Sequence, residues 1–386
     1  MQLNFADFTK ALALSIIGLI PVGYFLKIGS LGDVVDITLL LYVLAFAFTV
    51  LRLVICKTNI YFFKEDIVII LWTLIMIISL FYTPFVESGI VKTLKLISLE
   101  FSLIYLTRIL IENRRDLLII VKTFFIGSII IEIQVIIEFL KQGAPLGRFY
   151  YFDIHPVPLT MLGVVGLGII ILLIIFKKIK FYLFLPLFLL NFITVILSSS
   201  KGPIISLIFS IVLFLPLIIR KLKLFKLFFI GGIVWFLIYI ISMTQFNASL
   251  ILILNRFLNI GIDESTSDRL YLYNESWTYF SKNPILGIGV SGLGPNLYPH
   301  NILLELLSEN GLLIFSLFIL LVLMLAKKYF DNVLKKSTRV ETNIALFISL
   351  LSLFSLFFSW TYIDHKFLFL SLGILMVLDK KKELEI

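Results

Sequence analysis

The chain has 386 residues, of which 60% are hydrophobic and 38 are Phe, and its mean hydropathy is +1.09. Polar surface this scarce excludes a soluble domain, and apolar runs of about 20 residues exclude the short alternating strands of a membrane barrel. The formal charge of +9 is a candidate signal for nucleic acid or anionic lipid until its distribution is read, and the single Cys56 excludes a disulfide framework or a thiolate metal cluster.

Spanning runs predict an all-α, polytopic helical membrane bundle of about 12 transmembrane helices with one long external loop. The first apolar run, Ala11 to Phe25, lacks a small-residue cleavage site and reads as a membrane helix, within a span at 11–27. Further spans are expected at 34–55, 66–84, 91–110, 117–140, 157–176, 181–199, 203–219 and 225–245. After a polar stretch come spans at 301–326, 342–362 and 366–379. The chain thus divides into nine helices over 1–245, an external loop with short helices over 246–299, and three helices with a tail over 300–386.

The basic residues alternate between loops. One set is rich: Lys57 and Lys64; Arg108, Arg114 and Arg115; Lys177, Lys178 and Lys180; Arg220, Lys221 and Lys223; the cluster from Lys327 to Arg339; and Lys380 to Lys382. The other, with Lys27, Lys141, Arg148, Lys201, Arg256, Arg269, Lys282 and Lys366, is sparse. Cytoplasmic loops carry the excess of Lys and Arg, so both termini are expected inside and the long loop outside. Most of the positive charge is then topological signal and calls for no nucleic-acid partner.

The long loop concentrates polarity that is costly beside lipid, which makes it the place to look for chemistry. Leu250 to Phe257 reads as an interfacial amphipathic segment. The cluster Glu264-Ser265-Thr266-Ser267-Asp268-Arg269 predicts a helix starting near Asp268, and Asn283-Pro284 should end it. On that helix Arg269 and Tyr273 share a face, as do Tyr273 and Trp277. Gly287, Gly289, Gly292 and Gly294 mark a turn-rich approach to the next span.

All three histidines, His155, His300 and His365, are expected at outer helix ends. His300 precedes Asn301, with Glu305 and Glu309 at helical spacing, and histidine is the usual carrier of protons near neutral pH. A structural reading, hydrogen bonding to loop backbone or lipid, stands beside the functional one. Three histidines with Asp153 and Asp364 invite a zinc site, but no tight ligand spacing supports it, so no metal or other cofactor is expected. Lys92 and Lys95 are expected in the outer half of the fourth span with Glu100 deeper, each paired on another helix or snorkelling. Arg269 and Lys201, with Lys92 or Arg148, are placed to form a cationic pocket for a phosphate or pyrophosphate.

The order of these pieces resembles the O-antigen polymerase and ligase superfamily. The carriers are Lys201-Gly202, Asp268-Arg269, Trp277, Asn283-Pro284-Ile285-Leu286-Gly287-Ile288-Gly289, His300-Asn301 and Glu309-Asn310-Gly311-Leu312, over roughly 198–315. Lys201 departs from the arginine usual in that family, keeping the charge and losing the fork. The resemblance implies glycan transfer from undecaprenyl pyrophosphate to a hydroxyl, on a lipid-linked repeat unit in a polymerase or on lipid A core in a ligase. It implies Arg269 and Lys201 on the pyrophosphate and His300 on the acceptor hydroxyl. Glu305 or Glu309 would hold the imidazole, and Tyr273, Trp277 and Asn301 would help to bind substrate. A bacterial cytoplasmic-membrane location, O-antigen, capsule or exopolysaccharide products, and flippase and chain-length regulator partners are further implications. A modest loop and an Ile/Phe/Lys/Asn-rich composition lean toward polymerase. A lipid-linked exporter or flippase is the competing class, disfavoured because the polarity lies in a loop and not deep in the membrane.

Overall fold

The computed structural model describes residues 5–26, 36–56, 62–142, 149, 151, 154–198, 200–221, 264–335 and 339–384. Among these the regular elements are helices, with a single isolated bridge between Tyr151 and Ile154. The protein is an all-α polytopic membrane bundle. In chain order the helices are α1 (Phe5–Gly23), α2 (Ile37–Cys56), α3 (Lys64–Ser79), α4 (Val86–Lys95), α5 (Ser102–Leu110), α6 (Arg114–Lys141) and α7 (Pro156–Ile175). They continue with α8 (Phe181–Ser198), α9 (Lys201–Lys221), α10 (Glu264–Lys282), α11 (Ile302–Tyr329), α12 (Val340–Phe358) and α13 (Lys366–Leu384).

Every expected span other than 225–245 falls on these helices; that span and the interfacial segment 250–257 lie outside the described residues. By length and composition, 7 described runs are able to cross a membrane, and α8 and α13 contribute the shorter apolar stretches Tyr182–Ser198 and Lys366–Leu378. Of the three other expected spans, 225–245 lies outside the described residues and two fall short for a local reason. α3 has only 16 residues, and the fourth span carries Lys92, Lys95 and Glu100 and passes through a π-helical turn, Leu96–Phe101, between α4 and α5.

α7 and α12 are the most enclosed of the long helices, and both pack against α9. α1 packs against α2 and α6, while α13 packs against α12 and α5. The exterior is apolar: Val43, Phe46 and Val54 of α2 are all exposed, as a helix facing lipid requires. Far from the loop that holds His300, ion pairs tie helix ends together. Lys10 lies 2.7 Å from both Glu112 and Asp116, and Arg108 pairs with Asp66.

α11 is broken at Gly311 (φ 62°, ψ −157°), and the break has a partner in the loop. A helix break frees backbone groups that cost several kcal/mol each in lipid if left unpaired. Here the Ile288 N–H donates to the Ser308 carbonyl at 2.9 Å, the Gly289 N–H to Glu309 at 2.8 Å, and the Leu312 N–H to Pro284 at 2.9 Å. A Cβ on Gly287 would sit 2.4 Å from the Glu309 carbonyl carbon, and one on Gly311 2.3 Å from the Ile285 oxygen, with φ positive at both. The Asn-Pro-Ile-Leu-Gly-Ile-Gly and Glu-Asn-Gly-Leu segments are therefore two halves of one clasp. Tyr82 and Thr83 fasten it to the α3–α4 turn, donating to the carbonyls of Leu286 and Val290 at 2.8 Å each. Gly311→Ala is expected to destabilise the protein by about 2 kcal/mol or more, because it adds left-handed strain to a backbone clash. A fall in thermal midpoint in detergent would show it, with Leu312→Ala, an exposed neighbour, close to wild type.

Candidate active site

Polar chemistry converges on a cavity of about 850 Å³ at one end of the bundle. The N-terminal ends of α2, α7, α9 and α13 supply part of its wall, through Thr38, Val157, Lys201 and Lys366. Unpaired N–H groups give each such end a partial positive charge. Asp36 offsets one end by accepting from the Thr38 and Leu39 N–H groups at 2.9 and 3.2 Å. Four cationic side chains line the same space, Lys95, Lys201, Arg269 and Lys366, with Asp36, Asp268 and Asp364 among the lining acids; Arg269 and Lys201 are the pair brought together at the end of α12. The site is thus suited to holding an oxyanion.

Arg269 and Lys201 come together through the far end of α12. The guanidinium of Arg269 donates to the Phe358 carbonyl at 3.0 Å, satisfying one of the carbonyls a helix C-terminus leaves open. Gly202, next to Lys201, packs so closely on Ser359 that a Cβ would lie 2.3 Å from its Oγ. That close approach brings the start of α9 onto residues 358–359. α10, which carries Arg269, begins at Glu264 instead of near Asp268 and ends at Lys282, ahead of Asn283-Pro284.

His300 lies on the cavity wall with φ +54°, a left-handed backbone that a non-glycine residue holds at a cost of about 1 kcal/mol or more. Its ring meets that of Tyr298 at 4.4 Å between centroids. Burial, then the positive charge of Arg269 and His155, lowers its pKa from 6.5 to about 4, so the imidazole is neutral near pH 7. The same burial raises the Tyr298 phenol to about 12. His155 and His365 line the cavity as well. His155 caps α7 by accepting from the Val157 N–H at 3.3 Å. Despite this shared wall, no group of three or more His, Cys, Asp or Glu among the described residues is placed to hold a metal ion.

Several expected positions fall elsewhere. Lys92 does not join the cationic pocket: it is buried, 2.7 Å from both Glu305 and Glu309. The cause is the α11 carboxylates, which offer an ammonium taken out of water what no headgroup-level position would. Glu305 and Glu309 are correspondingly turned to Lys92 and do not hold the His300 imidazole, whose Nδ1 is buried without a hydrogen-bond partner. Asn301 caps α11, accepting from the Leu303 and Leu304 N–H groups, and its amide donates to the Phe357 carbonyl at 3.2 Å. Trp277 is exposed and packs on Phe280 at 5.4 Å, and neither it nor Tyr273 lines the cavity. Arg148 lies outside the described residues. The wall instead includes Lys95, Trp360, Asp364, His365 and Lys366. Asp364-His365-Lys366 stands out in the sequence, but nothing there ties it to residue 269.

Residues 186–319 match the family model described as O-antigen ligase. The match covers about a third of the chain and agrees with the resemblance to the O-antigen polymerase and ligase superfamily. A comparison with curated proteins returned no match. The matched stretch holds Lys201, Arg269, Tyr298 and His300; residues before and after it supply the rest of the cavity lining.

Proposed function

We propose that the chain transfers glycans from undecaprenyl pyrophosphate to an acceptor hydroxyl on the outer face of a bacterial cytoplasmic membrane, polymerising lipid-linked repeat units. The observation that carries this is the convergence of Arg269, Lys201, His300 and helix N-termini on one cavity at a bundle end. Arg269 and Lys201 hold the pyrophosphate. As the anomeric C–O bond breaks, its electron pair leaves with the pyrophosphate, and the cations stabilise that charge. The acceptor oxygen bonds to the anomeric carbon, and its proton passes to the neutral imidazole of His300. The family description favours a second reading, transfer of finished polymer to lipid A core. Metal independence, an outward-facing loop and cytoplasmic termini are parts of the same proposal.

The test is the surface-polysaccharide profile of a deletion strain carrying wild type or His300→Ala. Single repeat units in the deletion and the variant support a polymerase. Long chains left on the lipid carrier support a ligase. Normal polymer from a correctly inserted variant overturns the catalytic reading and returns an exporter to consideration. In purified protein, kcat/KM is expected to fall as pH drops through about 4, not through the 6.5 of an ordinary histidine, because only the neutral ring accepts a proton. His300→Ala should remove that limb.

A further inference from the structure

The cavity has a second pole that the donor reading leaves unused. It is built from the turn between α12 and α13 and from the α4 face that carries Lys95. His365 lies on its wall, is 0% exposed, and neither ring nitrogen has a hydrogen-bond partner. Leaving a buried imidazole unsatisfied is costly, and a bound hydroxyl would recover that cost. Trp360 stands against it at 5.2 Å between ring centroids, held at φ +80°, a backbone that a bulky residue rarely adopts. Trp360 lines the cavity too.

Besides Trp360 and His365, the cavity lining away from Arg269 and Lys201 includes Asp36 and Asp364 together with Lys95 and Lys366. Lys366 lies over the Tyr24 ring at 5.9 Å and feels the buried carboxylate of Glu100. Balanced acids and bases beside aromatic faces suit a neutral polyhydroxylated ligand better than a second phosphate. Resting on the glycan-transfer reading, we propose that this pole is the acceptor-sugar subsite. Trp360 packs on the apolar face of a pyranose, His365 accepts a hydrogen bond from one of its hydroxyls, and Asp364 accepts from another. His365 is here a positioning residue.

The experiment uses full-length protein in vesicles and lipid-linked repeat units extracted from the deletion strain. It follows isoprenyl pyrophosphate release and glycan length separately. His365→Gln and Trp360→Ala are expected to cut chain lengthening about tenfold or more while release continues, with free single repeats as the product, because water replaces the acceptor. Loss of release and lengthening together, or neither, overturns the subsite. Arg269→Ala should lower release about 10²–10³-fold; release at the wild-type rate makes the donor reading fail instead. Inorganic pyrophosphate binding supplies a second measurement. Weakening by Arg269→Ala but not by Lys95→Gln/Lys366→Gln supports a sugar pole, and equal weakening by both makes it a second phosphate site. Thermal midpoints near wild type for His365→Gln exclude misfolding as the cause.

Discussion

Arg269→Ala is expected to lower glycan transfer by about 10²–10³-fold, the loss typical of one preorganised donor to developing negative charge. Isoprenyl pyrophosphate release from a lipid-linked glycan measures it. The side chain also holds the Phe358 carbonyl, so part of the effect of truncation is structural. Arg269→Lys separates the two. Lysine restores the charge without the planar fork, and Lys201 already provides a point charge in this cavity. Activity recovered well above Arg269→Ala would make charge the main contribution; activity as low as Arg269→Ala, with an unchanged thermal midpoint, would make forked binding decisive. Full activity in Arg269→Ala sinks the pyrophosphate role.

The helices were legible because lipid imposes length and apolarity on each span, and apart from residues 225–245 the expected runs fall on helices. Arg269, Lys201 and His300 were legible as a set because the loop pattern keeps them in order, and the cavity does bring them together. The clasp was not. Gly287 and Gly311 read as a turn and a motif fragment, and only the broken backbone of α11 shows why each must be glycine. Lys95 and Lys366 were hidden for another reason. Neighbourhood across a bundle depends on helix rotation, and rotation is set by packing that hydropathy does not record. The same blindness put Lys92 in the wrong company: Lys92 and Lys95 are three residues apart, yet one is buried in an ion cluster and the other lines the cavity.

That ion cluster makes the second large prediction. The Lys92 ammonium lies 2.7 Å from Glu305, 2.7 and 2.9 Å from the two oxygens of Glu309, and 4.9 Å from the Tyr362 ring centroid. Glu305 also accepts from the Thr361 hydroxyl, and Glu309 from the Ser291 N–H at 3.1 Å. The cluster therefore joins α4, α11, the clasp segment and the turn between α12 and α13, which carries Trp360 and His365. Lys92→Met leaves two buried carboxylates facing each other without a cation. Breaking such a pair costs about 3–5 kcal/mol, so the variant is expected to accumulate poorly and to melt early. Adding Glu305→Gln and Glu309→Gln removes the stranded charge and should restore much of the midpoint, since a neutral cluster has no ion to desolvate. A Lys92→Met protein as stable as wild type but inactive would contradict this, and would return Lys92 to substrate binding. Recovery of stability in the triple variant without recovery of transfer would instead show that the cluster fixes the loop and the α12–α13 turn in a geometry that glutamines do not reproduce.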